Sequence, residues 1–165
     1  MDEVSTTRFK LRNLTQSDDL RNYISWMTNV NDFPFIESVR LNYTTAELWE
    51  YLNKVNKSDD MLQLAIFEKR QNIHIGNLKF HDICFTKFSC YVGFLIGDTE
   101  WQNRGVAREC FYAVSDRLRR ELGIKTFQLG VKQNHLQAIK SYLKMGFKVC
   151  ETREDGYLMQ LDLTS

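Results

Sequence analysis

The chain has one proline in 165 residues, no Cys-x-x-Cys pair among its four cysteines, and no apolar run long enough to span a bilayer. With so little proline, 43% hydrophobic and 26% charged residues, it is neither disordered nor fibrous. Met1-Asp2-Glu3-Val4-Ser5 lacks a basic segment followed by an apolar stretch, so no leader or membrane anchor is expected and the cytoplasm is the predicted location. Neither sign of charge is in excess: 22 basic against 21 acidic side chains leave a net charge of +1. No whole-molecule field therefore holds nucleic acid or an anionic membrane, and a polyanionic ligand must be held locally. Histidines are few, and His74 and His81, at an odd offset, fall on opposite faces if one strand carries both, so no metal site is expected. Cys84, Cys90, Cys110 and Cys150 stand among apolar neighbours and read as small buried hydrophobes.

What is present is enough for one core, and residues 1–165 read as a single domain. Phe9, Leu11 and Leu14 open a strand, and Ser17-Asp18-Asp19 offers capping oxygens to a helix carrying Leu20, Tyr23, Ile24 and Met27. Thr28 to Tyr43, with the lone Pro34, reads as a loop or broken helix. Thr44 and Glu47 form a capping box for a second helix with Leu48, Tyr51, Leu52 and Val55 on one stripe. Apolar runs from Leu62 to Phe67 and Ile73 to Phe80 predict a hairpin, and Phe88 to Ile96 a third strand. Phe111, Val114, Leu118 and Leu122 mark a long helix closed by Gly123. A strand through Phe127, Leu129 and Val131, a helix from Leu136 to Met145 stopped by Gly146, and strands from Phe147 and from Tyr157 to Leu163 complete the order. The expected class is α/β: a mixed sheet with helices packed on it.

One junction carries chemistry. The strand ending at Ile96 runs through Gly97-Asp98-Thr99-Glu100-Trp101 into Gln102-x-x-Gly105-x-Ala107, just before the long helix. The unpaired N–H groups of a helix's first turn, with roughly half a positive charge behind them, make an anion cradle. Gly105 lets the backbone approach phosphates, Ala107 keeps the turn slim, and Arg104 and Arg108 add charge at the rim. Taken alone, the same residues also describe an ordinary strand-to-helix connection.

The motif does not stand alone. Gln102, Gly105 and Ala107 match the Arg/Gln-x-x-Gly-x-Gly/Ala cofactor loop of the GNAT superfamily of N-acetyltransferases, and Val131-Lys132-Gln133-Asn134, Ala138, Tyr142 and Gly146-Phe147 resemble its later signature. Ile75-Gly76-Asn77-Leu78-Lys79 and Ile96-Gly97-Asp98 resemble the branch containing ribosomal-protein alanine and amino-sugar-nucleotide acetyltransferases. The resemblance implies a mostly antiparallel twisted sheet whose strands splay to admit the pantetheine arm of acetyl-CoA, with Leu95, Ile96 and Gly97 as the exposed edge. It implies a pyrophosphate cradle at Gln102, Asn103, Arg104, Gly105, Val106 and Ala107, with Asn134 holding the arm or capping the helix that follows.

Thioester aminolysis needs an oxyanion donor, a proton path for the amine and an acid for the thiolate. A backbone N–H near Ile96 suits the first, and Tyr142 is the candidate acid. By spacing from Ala138, Tyr142 also reads as a packed core aromatic. Many relatives have a carboxylate where Tyr91 precedes Val92-Gly93, so the base stays open among Glu37, His81 and Asp82. Phe33, Phe35, Glu37 and Arg40 fall in the loop that covers the acceptor in this family, and Asn77 and His81 are further acceptor-side candidates. The expected enzyme transfers an acetyl group from acetyl-CoA to a primary amine of a small acceptor, an amino-sugar nucleotide of surface-polysaccharide synthesis being one such class. A homodimer is compatible with it. The alternatives are a protein N-terminal acetyltransferase and a non-catalytic acyl-CoA sensor; nucleic acid, membrane and metal are not expected partners.

Overall fold

The computed structural model describes residues 1–164; Ser165, the last residue of the expected domain, lies outside the described residues. The strands are β1 (Val4–Ser5), β2 (Phe9–Arg12), β3 (Leu62–Glu68), β4 (Ile73–Cys84), β5 (Ser89–Ile96), β6 (Thr126–Lys132), β7 (Lys148–Thr152) and β8 (Gly156–Asp162). The helices are α1 (Arg21–Met27), α2 (Thr45–Asn56), α3 (Val106–Leu122) and α4 (Leu136–Met145), with a short 3-10 turn at Thr99–Trp101. The order is the expected one, preceded by the two-residue β1 and interrupted by that turn.

All eight strands form one sheet in the order β1-β2-β3-β4-β5-β6-β8-β7. Every pairing is antiparallel except β5 with β6, which needs the crossover through α3. The α3 face carries one core, with Phe9, Phe80, Phe111, Phe127 and Phe147 almost wholly enclosed. Tyr23, Trp26, Leu48 and Leu52 of α1 and α2 form a second core against Ala65 and Phe67 on the opposite face. Burying such side chains contributes roughly 1.5–3 kcal/mol each, which holds the helices to the sheet.

Local rules explain most boundaries. The Thr44 hydroxyl accepts from the Glu47 amide while the Glu47 carboxylate accepts from the Thr44 amide, so α2 begins on a complete capping box. Gly123 and Gly146 end α3 and α4 with φ of 74° and 102°.

Three expectations are corrected. The N-cap of α1 is Leu20, without a side-chain bond, and of the expected capping residues Asp19 alone accepts from a helix amide, that of Arg21 at 2.9 Å; Asp18 instead accepts from the Thr15 amide and from both terminal nitrogens of Arg12, a partnership that pulls its carboxyl down to about 2. Leu122, at the end of α3, is exposed. Of the four cysteines only Cys90 and Cys110 are buried, and burial drives both thiols upward and makes them poor nucleophiles, whereas Cys84 is half-buried and Cys150 exposed.

His74 follows from the second core. It sits 5% exposed among Tyr23, Trp26 and Phe67, with Nε2 2.9 Å from both the Gly76 carbonyl and Asn77 Oδ1, while Nδ1 has no partner among the described residues. Desolvation lowers its pKa below the ordinary value despite those hydrogen bonds and the Asp18 charge; Arg12 pushes the same way as burial. The unfolded chain therefore takes up this proton at higher pH than the folded one, so the contribution of His74 to stability is full above about pH 6.5 and is lost as pH falls below it. Urea unfolding at pH 7.5 and 5.5 should show a loss in the wild type that shrinks in His74→Gln. An equal loss in both would place the acid sensitivity elsewhere.

Candidate active site

The site begins where the sheet divides. β5 and β6 pair only through Ser89, Cys90 and Tyr91 with Thr126, Phe127 and Gln128. Beyond them β5 stays with β4 as far as Ile96, and β6 stays with β8 as far as Lys132, so the two halves part and leave a cleft of about 1110 Å³.

The freed edge of β5 is set by strand alternation. The Gly97 amide donates to the Ile75 carbonyl at 2.9 Å, on the β4 side, whereas the Ile96 carbonyl accepts from Gln102 Nε2 at 2.9 Å on the other. Since alternate residues direct their backbone groups to opposite edges, Phe94 and Ile96 face the cleft and Leu95 and Gly97 face β4. Of the expected edge of Leu95, Ile96 and Gly97, Leu95 and Ile96 line the cleft, but the backbone groups free on that side are those of Phe94 and Ile96, and the Gly97 amide is used by Ile75. Gly97 has a separate role, since a Cβ there would lie 2.0 Å from the Trp26 ring.

The loop at the end of the cleft has a left-handed turn at Asn103 and Gly105, with φ of 59° and 75°, and Gly105 is the N-cap of α3. Gln102 braces this loop to β5 with its side chain. Asn103 accepts from Gln137 of α4, and Arg104 lies over the Trp101 ring and donates to the Glu100 carbonyl. Gln102, Asn103, Gly105, Val106, Ala107 and Arg108 line the cleft, and Arg104 does not.

An acidic residue in the first turn of α3 would repel an anion, but Glu109 is turned away. Its carboxylate accepts from the Thr6 hydroxyl at 2.7 Å, the Arg8 amide at 3.0 Å and Arg8 Nε at 2.8 Å. Burial opposes its ionisation, yet these bonds outweigh it and hold the carboxyl below its usual range. Arg8 also donates to the Arg104 carbonyl at 2.9 Å, so the turn between β1 and β2 buttresses the loop. The amides of the first turn are left with positive potential and no competing carboxylate, which fits a pyrophosphate.

Tyr142 on α4 reaches the cleft beside Phe94, with ring centroids 5.7 Å apart. Burial pushes its hydroxyl up to about 12, with no charged neighbour offsetting it. The ring packs on the α3 core, as its spacing from Ala138 predicts, and the residue also lines the cleft.

The loop from Thr28 to Tyr43 covers the cleft. Phe35 stacks on His135, at the head of α4, at 3.9 Å and 6° between planes, and Phe33, Ile36 and Glu37 also line the site. Other acceptor-side candidates lie elsewhere. Arg40 pairs with Glu47 and covers Tyr43, Asn77 is buried against His74, and His81 pairs with Asp82 at 2.8 Å and stacks on Tyr91. None of these four lines the cleft, nor does Asn134, which also fails to cap α4; the N-cap is His135, without a side-chain bond. Sequence reasoning missed Phe94, His135 and Gln137, and Arg153 and Asp155 of the β7–β8 turn, which also line it.

Comparison with known proteins bears on this geometry. The model of the acetyltransferase (GNAT) domain matches residues 8–148. A spermidine N-acetyltransferase from Vibrio cholerae, solved with CoA and spermine, superposes with a TM-score of 0.77 at 23% identity, covering 94% of this chain and 96% of its own. A ribosomal-protein alanine acetyltransferase from Vibrio fischeri gives 0.75 at 16% identity, over 97% and 96% of the two chains. The Campylobacter jejuni N-acetyltransferase PseH gives 0.67 at 19% identity, over 94% and 99%. Comparison with curated proteins by sequence gives no match. At these identities the solved structures establish the fold, and the domain match, which spans most of the chain, establishes the family. The protein belongs to the GNAT acetyltransferases and is an acetyl-CoA-dependent N-acetyltransferase.

Proposed function

We propose that the acceptor is a primary amine on a small molecule, with amino-sugar nucleotides as the favoured class, and that residues 1–165 act as one acyltransferase domain in the cytoplasm. The observation that carries this reading is the stack of Phe35 on His135, both in the cleft lining, which ties the α1–α2 loop to the head of α4 where an acceptor peptide would need an open groove. An aromatic pair in the lining also suits a ligand with a sugar or base ring.

In this reading the first turn of α3 binds the pyrophosphate of acetyl-CoA and the edge at Phe94 and Ile96 binds the pantetheine amides. The Ile96 N–H, on the same edge as its Gln102-bonded carbonyl, suits an oxyanion. Tyr142 donates toward the sulfur as it leaves. Of the three candidate bases, Glu37 is the one in the cleft lining.

Thiol release from acetyl-CoA is to be followed against amino-sugar nucleotides, peptides, polyamines and amino acids. Turnover confined to the sugar nucleotides is the expected result. Turnover of peptides alone would transfer the assignment to a protein N-terminus, and binding without turnover of any amine would make the protein a sensor.

A further inference from the structure

The fork between β5 and β6 contains two glycines that the fold does not require. The parallel ladder ends at Tyr91 and Gln128; carried two residues on at the same register, it sets Gly93 beside Gly130. Both line the cleft, and a Cβ added to either would meet no heavy atom within 4 Å. Neither has a positive φ, so neither serves a turn. Gly76 and Gly156, on the adjoining strands, differ: a Cβ there would lie 2.4 Å from the carbonyl oxygens of Leu95 and Val131. Gly76 and Gly156 are explained by packing, whereas Gly93 and Gly130 weaken their strands and leave space in the cleft.

The direction of that space follows from alternation. Val92, Phe94, Leu129 and Val131 turn to the core beneath α3, and Tyr142 packs on the same core. Gly93 and Gly130 therefore face the opposite side, where Leu95 packs with α1 and α2. A thioester held in the fork would have Tyr142 on one side and the glycine gap on the other.

We propose that Gly93 and Gly130 form a side-chain-free window through which the acceptor amine reaches the thioester, and that its width selects amines borne on a ring carbon. The inference rests on the small-molecule reading above. A ring amine brings two flanking ring atoms to the reacting carbon, whereas a terminal amine on a methylene arm brings one and passes a narrower gap. Two adjacent glycines supply room that a linear amine does not need.

The test is Gly93→Val and Gly130→Val, with glucosamine and ethanolamine as acceptors and acetyl-CoA affinity measured by calorimetry. Valine fits strand backbone, so both variants should melt no lower than the wild type. The ratio of kcat/KM for glucosamine to that for ethanolamine should fall roughly ten- to two-hundredfold, the usual effect of a methylene or two in a pocket. The dissociation constant for acetyl-CoA should stay within about threefold. An unchanged ratio in both variants overturns the window, as does a parallel collapse of acetyl-CoA affinity, which would place the glycines along the cofactor arm. Failure of the wild type to acetylate either amine or any sugar nucleotide, with acetyl-CoA bound, would remove the small-molecule reading and the window with it.

Discussion

Gly105→Glu should lose acetyl-CoA binding by several thousandfold, on the order of 5–6 kcal/mol, while leaving the chain folded. Two effects add. Gly105 has φ of 75°, and a residue with a Cβ in that left-handed region costs roughly 1–2 kcal/mol. The new carboxylate would then stand at the N-terminus of α3, where a pyrophosphate charge about 4 Å away costs about 4 kcal/mol at the effective dielectric of a protein surface. The fold should survive because the Cβ site is open: its one near neighbour is a terminal nitrogen of Arg8 at 3.6 Å, a cation able to accept the new charge. Gly105→Ala separates the two effects, since it keeps the strain and omits the charge; calorimetry should find it about tenfold weaker than the wild type. Undiminished binding by Gly105→Glu would remove the pyrophosphate from this loop.

The elements were legible where local physics decides them. The capping box at Thr44 and Glu47, the stop at Gly123 and the span of α4 follow from bonding and glycine conformation within a few residues of chain. The capping oxygens before α1 were half right: Asp19 accepts from the Arg21 amide, whereas Asp18 is claimed by Arg12 and by the Thr15 amide. β1 is two residues long, below the length at which alternation can be read. Cys150 lies on β7, whose five residues are all exposed because it is the last strand of the sheet, and edge position is a property of topology rather than of neighbouring sequence.

The site divides in the same way. Gln102 to Ala107 form one continuous segment whose small residues and helix start announce an anion cradle. The rest of the cleft lining is assembled in part from the α1–α2 loop, the head of α4 and the β7–β8 turn, and no spacing rule relates Phe35 to His135 or either to Arg153. Arg40, Asn77 and His81 were plausible by residue type, but each is held by a partner: Glu47, His74 and Asp82. Whether a polar side chain serves a ligand or its own fold is decided by which partner is nearer, and that is a three-dimensional fact.

Tyr142→Phe should lower kcat by roughly ten- to a hundredfold, with the affinity for acetyl-CoA and the melting temperature close to those of the wild type. The size follows from the hydroxyl's environment. Burial holds it at about 12, and a thiol has an ordinary value of about 8.5, so full transfer of the proton to a free thiolate is uphill by roughly 5 kcal/mol. In the proposed role Tyr142 would therefore act chiefly as a hydrogen-bond donor to the charge growing on sulfur, an interaction worth roughly 1.5–3 kcal/mol, rather than as an acid that completes the transfer. Phenylalanine keeps the ring against Phe94 and Phe147 and removes only that donor. The pH profile separates this role from a structural one. With the phenol raised, kcat should show no alkaline decline from Tyr142 below about pH 10. A decline between pH 8 and 10 that disappears in Tyr142→Phe would show that the bound hydroxyl is a stronger acid than its burial allows. An unchanged kcat, with chemistry limiting the rate, would return Tyr142 to the core as a packed aromatic.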